Sequence, residues 1–235
     1  MSGVYAYCIL PGGREPPDGL AGLGGAAVRA EIVDGLTVWL SAAERAPEVE
    51  LDAVERHHEV VRAALPETML PLRFGAWAPD LDALAEHIRR TRPELDEALR
   101  CVEGRIELGV RVREAAPAAA GRVQAAAPEG PPLPAAAGVG RRYLHALSEA
   151  ARARALRRRR QEALARRIRE HLGAAVVDER VTYLAPPEAI SVAHLVRRED
   201  EPYYRSRLQQ LAEATRADYI LHVTGPWPPY SFAAP

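Results

Sequence analysis

Lysine is absent from this 235-residue chain, and every one of its 31 basic side chains is arginine. With so much alanine around it, that bias reflects genome composition, although arginine also suits bidentate contacts to carboxylates. Cysteine occurs twice, which is too few for a disulfide framework, and Cys8 lies in an apolar run. Both cysteines read as reduced, small, buried residues of a cytosolic protein. Large net charge is missing too: 31 basic against 32 acidic residues leave −1. That argues against a whole-molecule field for nucleic acid or an anionic membrane. No run approaches the ~20 apolar residues needed to span a bilayer, and no charged leader with an apolar stretch opens the chain. A soluble protein is expected.

Catalytic signatures are missing as well. There is no nucleophile in a glycine elbow, no phosphate-binding loop, and no CxxC or HExxH spacing. The expectation is therefore no enzyme, no cofactor and no metal centre. His57 and His58 are adjacent, so on a helix they point about 100° apart and suit one ion poorly.

What is present is periodic. Val4 to Leu10 is apolar on both faces, as in a central strand covered from two sides. Residues 28–32 and 36–40 alternate around Asp34-Gly35, a strong hairpin signal because both turn positions need positive φ. A helix is expected over 48–65, with Leu51, Val54, His58, Val61 and Leu65 inward. Leu70 to Phe74 reads as a short strand in which Arg73 forms a partly buried ion pair or presents its charge to a partner. Helices near 79–91 and 93–101 follow, the second opened by Pro93. Residues 1–101 thus make an α+β domain.

From Gly104 the alternation is cleanest: Ile106, Leu108, Val110 and Val112 face inward, while Arg105, Glu107, Arg111 and Arg113 face solvent or a partner. Residues 115–140 are an Ala/Pro/Gly-rich insertion with no periodic apolar face. A long helix over about 141–172 comes next. Leu144, Leu147 and Ala151 are expected to anchor its start, and Leu164, Ile168 and Leu172 its end. Arg157-Arg158-Arg159-Arg160 surrounds one turn with charge, so its middle is expected to project. Strands over 176–184 and 190–198, a helix over 202–216 and a last strand from Asp218 complete the chain. The order β-α-β-β-α-β over residues 102–235 is the ferredoxin-like arrangement.

The closing stretch Gly225-Pro226-Trp227-Pro228-Pro229-Tyr230-Ser231-Phe232 lacks three amide donors. Sheet pairing is expected to stop at Gly225 and a stiff polyproline rod to follow, with Trp227 and Tyr230 on one side. That rod reads as a clamp on the protein's own surface and as a docking edge for a partner.

Thr224-Gly225-Pro226-Trp227-Pro228-Pro229-Tyr230-Ser231-Phe232 closely resembles the C-terminal signature of the gas vesicle protein F/L family. Leu70-Pro71-Leu72-Arg73-Phe74-Gly75 resembles its N-domain motif. Gly138-Val139-Gly140-Arg141-Arg142-Tyr143-Leu144 is similar to its entry into a long helix, and Val4-Tyr5-Ala6-Tyr7 also fits. These matches span nearly the whole chain, in the family's order.

The resemblance implies a cytoplasmic accessory or minor structural protein of gas vesicles. Its partners would be the small hydrophobic shell subunit and other gas vesicle accessory proteins, and its fold two α+β domains, the second a modified ferredoxin-like fold. The candidate partner-contact or structural residues are Arg73, Phe74, Gly75, Gly225, Pro226, Trp227, Pro228, Pro229, Tyr230 and Phe232. The rival reading is a nucleic-acid module built on the arginine-rich helix. Against it, the first strand of that unit offers no aromatic for stacking, and Glu149, Glu162 and Glu170 interrupt the arginines.

Overall fold

The structure is a computed structural model that describes residues 3–115 and 139–233, with the side chains of the long helix from Leu144 onward. Most of the expected 115–140 insertion lies outside the described residues.

Two antiparallel sheets carry the chain. The first is built from β1 (Val4–Pro11), β2 (Arg29–Val33), β3 (Leu36–Ala42), β4 (Leu70–Pro71) and β5 (Trp77–Ala78), in the order β2-β3-β1-β4, with β5 also on β1. As expected, β1 is interior and apolar on both faces. A bulge between Ala6 and Cys8 shifts its register against β3. One face of the sheet carries Tyr5, Tyr7, Cys8 and Leu10; the other carries Val4, Ala6 and Ile9. Tyr5 and Tyr7, two residues apart, share a face in any strand; a regular strand would have sent Cys8 and Leu10 to the other, so the extra residue brings both onto the tyrosine face.

Helix α1 (Leu51–Ala63) covers the tyrosine face, and α2 (Leu81–Arg90) with α3 (Arg92–Val102) covers the other. Asp80 caps α2 by accepting from the Ala83 amide at 2.7 Å, which satisfies one of the four free donors of the first turn. The inward stripe of α1 is His57, Val60 and Val61, followed by Ala64 just past its end. His58 is only half-buried and Leu51 is exposed. The spacing i, i+3, i+4, i+7 fits this phase as well as the expected one, and Leu51, outside the packed stripe, is what misled the reading.

The second sheet has the order β7-β8-β6-β9, all antiparallel, from β6 (Arg105–Glu114), β7 (Val176–Tyr183), β8 (Glu188–Arg197) and β9 (Tyr219–Trp227). Ile106, Leu108, Val110 and Val112 pack beneath α4 (Val139–Leu172) and α5 (Glu201–Thr215), where they meet Leu164, Ile168, Leu172, Tyr204, Leu208 and Leu211. Pro202 sits in the first turn of α5, where its missing N–H has no intrahelical partner to lose. Within this core the buried His194 Nδ1 lies 2.7 Å from the Tyr204 hydroxyl. Burial, aided by the nearby Arg169 charge, lowers the His194 pKa to about 4.

The opposite face of this sheet is not left open along its length. Ala193 and Leu195 join Val4, Ile9, Ile88 and Leu99 of the first unit in one apolar cluster, while Arg111 and Arg113 stay exposed. The polar face expected to meet solvent is thus partly used to seat the first sheet and its helices. Arg198 strengthens the seam by donating to the carbonyls of Leu65 and Glu67.

Helix α4 departs most from expectation. Every residue from Ala146 to Arg160 is exposed, as is Leu144, and apart from Arg158 over the Tyr183 ring packing begins only at Gln161. Leu144, Leu147 and Ala151 therefore anchor nothing among the described residues; the helix projects from its first described side chains, not merely at its middle. Among the described residues no strand lies beneath them.

Candidate functional site

The two motifs singled out in the sequence are about 150 residues apart, yet the fold brings both to the tyrosine face of the first sheet. Phe74 and Tyr230 pack against the same buried cluster of Tyr5, Tyr7, Cys8 and Trp39.

At its centre is a hydrogen-bond relay with an assignable direction. The Leu72 carbonyl can only accept, so His57 Nε2 carries the proton and donates to it at 3.0 Å. His57 Nδ1 then accepts from the Tyr5 hydroxyl at 2.8 Å, and that oxygen accepts the Gly75 amide at 3.1 Å. Both ends of the relay close on the 72–75 turn, which explains the need for Gly75, whose φ is +99°; a side chain there would be strained. Burial lowers His57 to about 4, although its bond to Leu72 acts the other way. Burial likewise pushes Tyr5 up to about 12. Near neutral pH one is therefore an uncharged imidazole and the other an intact phenol, so the relay fixes geometry and carries no proton. Beside it, Tyr7 shares a 2.9 Å bond with Ser41 and accepts the Leu23 amide at 2.8 Å.

Arg73 lies outside this network. Its side chain is exposed and forms no ion pair among the described residues, so the partly buried pair expected for it is not there. The strand expected over Leu70–Phe74 likewise shrinks to Leu70–Pro71, because Phe74 and Gly75 are taken into the turn.

The closing segment also differs from expectation. Pairing does not stop at Gly225: β9 runs on to Trp227, opposite Glu107, with a register shift between Glu107 and Gly109. Pro226 falls within that irregularity and is exposed, so its lack of an amide breaks no ladder bond. Gly225 has φ +105°, and a Cβ there would approach the Glu107 carbonyl to 2.9 Å.

Beyond Trp227 there is no extended rod. Tyr230 donates to the Pro228 carbonyl at 2.7 Å and Phe232 to that of Pro229 at 3.0 Å, folding the segment back. Pro228, Pro229 and Phe232 are buried. Trp227 and Tyr230 do share a side, and what lies there is His58, with ring centroids 5.5 and 6.2 Å away.

The fold-back is pinned from both units. Ser231 donates its amide and its hydroxyl to the two carboxylate oxygens of Glu107, each at 2.8 Å. Arg205 holds the Gly225 carbonyl at 2.9 Å, and Arg180 lies 5.1 Å above the Phe232 ring. Phe232 joins the cluster of Leu195, Val4 and Ile88, and Tyr230, its pKa raised by burial, the cluster around Tyr5. Full burial of an aromatic side chain stabilises by about 1.5–3 kcal/mol, so the buried Phe232, together with the partly buried Tyr230, makes the segment a substantial clasp. Sequence reasoning missed Tyr5, Tyr7 and His57 as its receiving surface. The alternating Val4-Tyr5-Ala6-Tyr7 was a visible signal, but the bulge that adds Cys8 and Leu10 to the same face was not.

Among the described residues no group of three or more His, Cys, Asp or Glu side chains is placed to hold a metal ion, and no helix is long and apolar enough to cross a membrane.

This geometry defines a two-sheet α+β protein closed by its own final segment. The chain belongs to the gas vesicle synthesis protein GvpL/GvpF family, whose model matches residues 3–234. It is 28% identical to gas vesicle protein F of Streptomyces sp. (strain CB03234), over 97% of this chain and 98% of that one. With gas vesicle protein L of the same organism it shares 31% identity over 77% of this chain and 69% of that protein. The crystal structure of GvpF from Anabaena sp. PCC7120 superposes with a TM-score of 0.81 at 20% identity, covering 100% of this chain and 97% of that one. GvpF from Microcystis aeruginosa superposes at 0.78, covering 100% of both. The fold is therefore that of the solved GvpF proteins.

Proposed function

We propose that this chain is a cytoplasmic gas vesicle assembly factor that binds the small hydrophobic shell subunit as vesicles form. On this reading its second unit is a ferredoxin-like domain, a reading supported by the element order and by the sheet order β7-β8-β6-β9. Its work is recognition: a small apolar subunit before polymerisation presents surfaces prone to aggregate, and a binding protein shields them.

The observation that carries this reading is an open apolar groove of about 440 Å³ beside the 73–75 turn, lined by Leu72, Gly75, Trp77, Leu84, Ile88 and Leu95. Arg90 and His87, also in its lining, supply a polar rim to an apolar floor, the usual anatomy of a protein contact, and Arg73 stands exposed at the neighbouring turn. On this reading Phe74, Gly75 and the segment Gly225–Phe232 act from behind, holding the turn in place. Trp227 and Tyr230 then serve the partner through the structure they brace.

Purified chain added to shell subunit diluted from denaturant is expected to suppress its light scattering, and Leu84→Ser to weaken that effect. Absence of binding together with unchanged aggregation would sink the proposal. The nucleic-acid alternative gains nothing from the fold, since Ala193, Leu195 and Glu107 on the outer sheet face are engaged by the first unit and the clasp.

A further inference from the structure

The projecting half of α4 has a counterpart elsewhere on the same molecule. Between Leu144 and Arg160 it carries six arginines against one glutamate. Arg158 pairs with Glu162 and stacks on Tyr183; Arg152, Arg154, Arg157, Arg159 and Arg160 have no carboxylate partner among the described residues. Leu144, Leu147, Ala151 and Ala155 follow at intervals of three, four and four, so they form one stripe along the helix. On helical geometry Arg152 and Arg159 flank that stripe on one side and Arg154 on the other. Leu144 is 66% exposed and Leu147 45%. An uncovered apolar stripe between rows of unpaired arginines is a contact surface lacking its other half.

The segment 44–59 has the opposite character. Glu44, Glu48, Glu50, Asp52, Glu55 and Glu59 stand there against Arg45 and Arg56, all exposed. Arg45 pairs with Glu48 and Arg56 with Glu59, while Glu44, Glu50, Asp52 and Glu55 have no basic partner among the described residues. Val49 and Leu51, between these carboxylates, are 85% and 72% exposed. The segment borders an open groove of about 760 Å³ whose opposite wall includes Gly22, Gly24 and Gly25. Glycines there let a helix come close.

We propose that these are the two halves of a contact between copies of this chain, the α4 arm of one copy lying against the 44–59 segment of the next. Charge complementarity selects the occupant: unpaired arginines flanking an apolar stripe meet unpaired carboxylates flanking two apolar side chains, and arginine pairs such carboxylates bidentately. Among the described residues of one copy the arm and the segment are both uncovered, so they do not satisfy each other in cis. The near-zero net charge of the whole chain hides two patches of opposite sign. A contact between two different patches is head-to-tail and leaves both ends free to bind again, so it builds rings or open chains rather than a closed pair. This inference is independent of the shell-subunit reading.

Sedimentation velocity on the full chain without any other protein tests it. At low ionic strength the weight-average mass is expected to rise with concentration to at least twice the monomer, and to return to the monomer at about 0.5 M salt. The arm variant R152E/R154E/R159E and the segment variant E48R/E50R/D52R are each expected to associate at least about tenfold more weakly. Neither set touches a buried side chain, and an unchanged circular dichroism spectrum verifies that both fold. Mixed together, the two variants are expected to recover association, because each supplies the charge the other needs. A wild-type chain that stays monomeric at low salt overturns the proposal. Association that survives the segment reversal, or that fails to return on mixing, overturns it equally and points to a different acidic partner for the arm.

Discussion

The closing segment and the arm of α4 are built from opposite materials, and the fold treats them oppositely. Eight residues from Gly225 to Phe232, with no charge among them, are pinned by Glu107, Arg205 and Arg180 and bury Phe232 between the two sheets. The arm, twice as long and rich in arginine, touches almost nothing before Gln161. The contrast separates two uses of a surface element. Aromatic and proline content, for all its look of a docking motif, is spent inside the protein; charge repeated around a helix keeps that helix out of it.

The largest effect that tests this contrast is expected at Phe232. Phe232→Ala removes a buried ring between the units and should cost about 3–5 kcal/mol, lowering the melting temperature by about 10 °C in a chain of this size. A loss no greater than that of a surface substitution would mean the segment is not a clasp.

Next in size is acid. His57, on the receiving surface, and His194, beneath α5, both have folded-state pKa values lowered to about 4, so between about pH 6.5 and 4 the unfolded chain binds the extra proton first. Stability is full above about pH 6.5 and falls as pH drops to about 4, by an order of 2–3 kcal/mol for each histidine. Urea midpoints across that range measure the fall, and His57→Gln is expected to flatten the slope.

Ser231→Ala comes third. It leaves Glu107 with the backbone bond only and is expected to cost about 1 kcal/mol. Smallest is the arm: Arg154→Ala should leave the melting curve within about 0.5 kcal/mol of wild type. If Arg154→Ala destabilised as much as Ser231→Ala, the arm would have a seat within the protein after all.

Much of this architecture was legible in the sequence. Strict alternation at Ile106, Leu108, Val110 and Val112 located β6 and its buried face, Asp34-Gly35 the hairpin, and Pro93 and Pro202 the openings of two helices. Each of those signals is local. What stayed hidden depends on register or on distant neighbours. The β1 bulge at Tyr7 and Cys8 changes which face each residue takes, and no pattern of residue types reports one extra residue. The phase of α1 turns on whether Leu51 packs, which only its surroundings decide. Arg73 read as an ion-pair member because it sits among apolar residues, yet the turn at Phe74 and Gly75 points it outward. Pro226 looked like the end of a sheet because the irregularity opposite Glu107 that absorbs it belongs to two strands at once.

The clasp also sets a schedule. Tyr230 completes the cluster around Tyr5, and Phe232 the one around Val4, so the first unit is finished by residues made long after its first strand. At ~5–20 residues per second, a ribosome needs roughly 10–50 s to pass from one end of that contact to the other. Throughout that interval the nascent first sheet has two unfilled aromatic seats, and any protein that attends its birth would find them there.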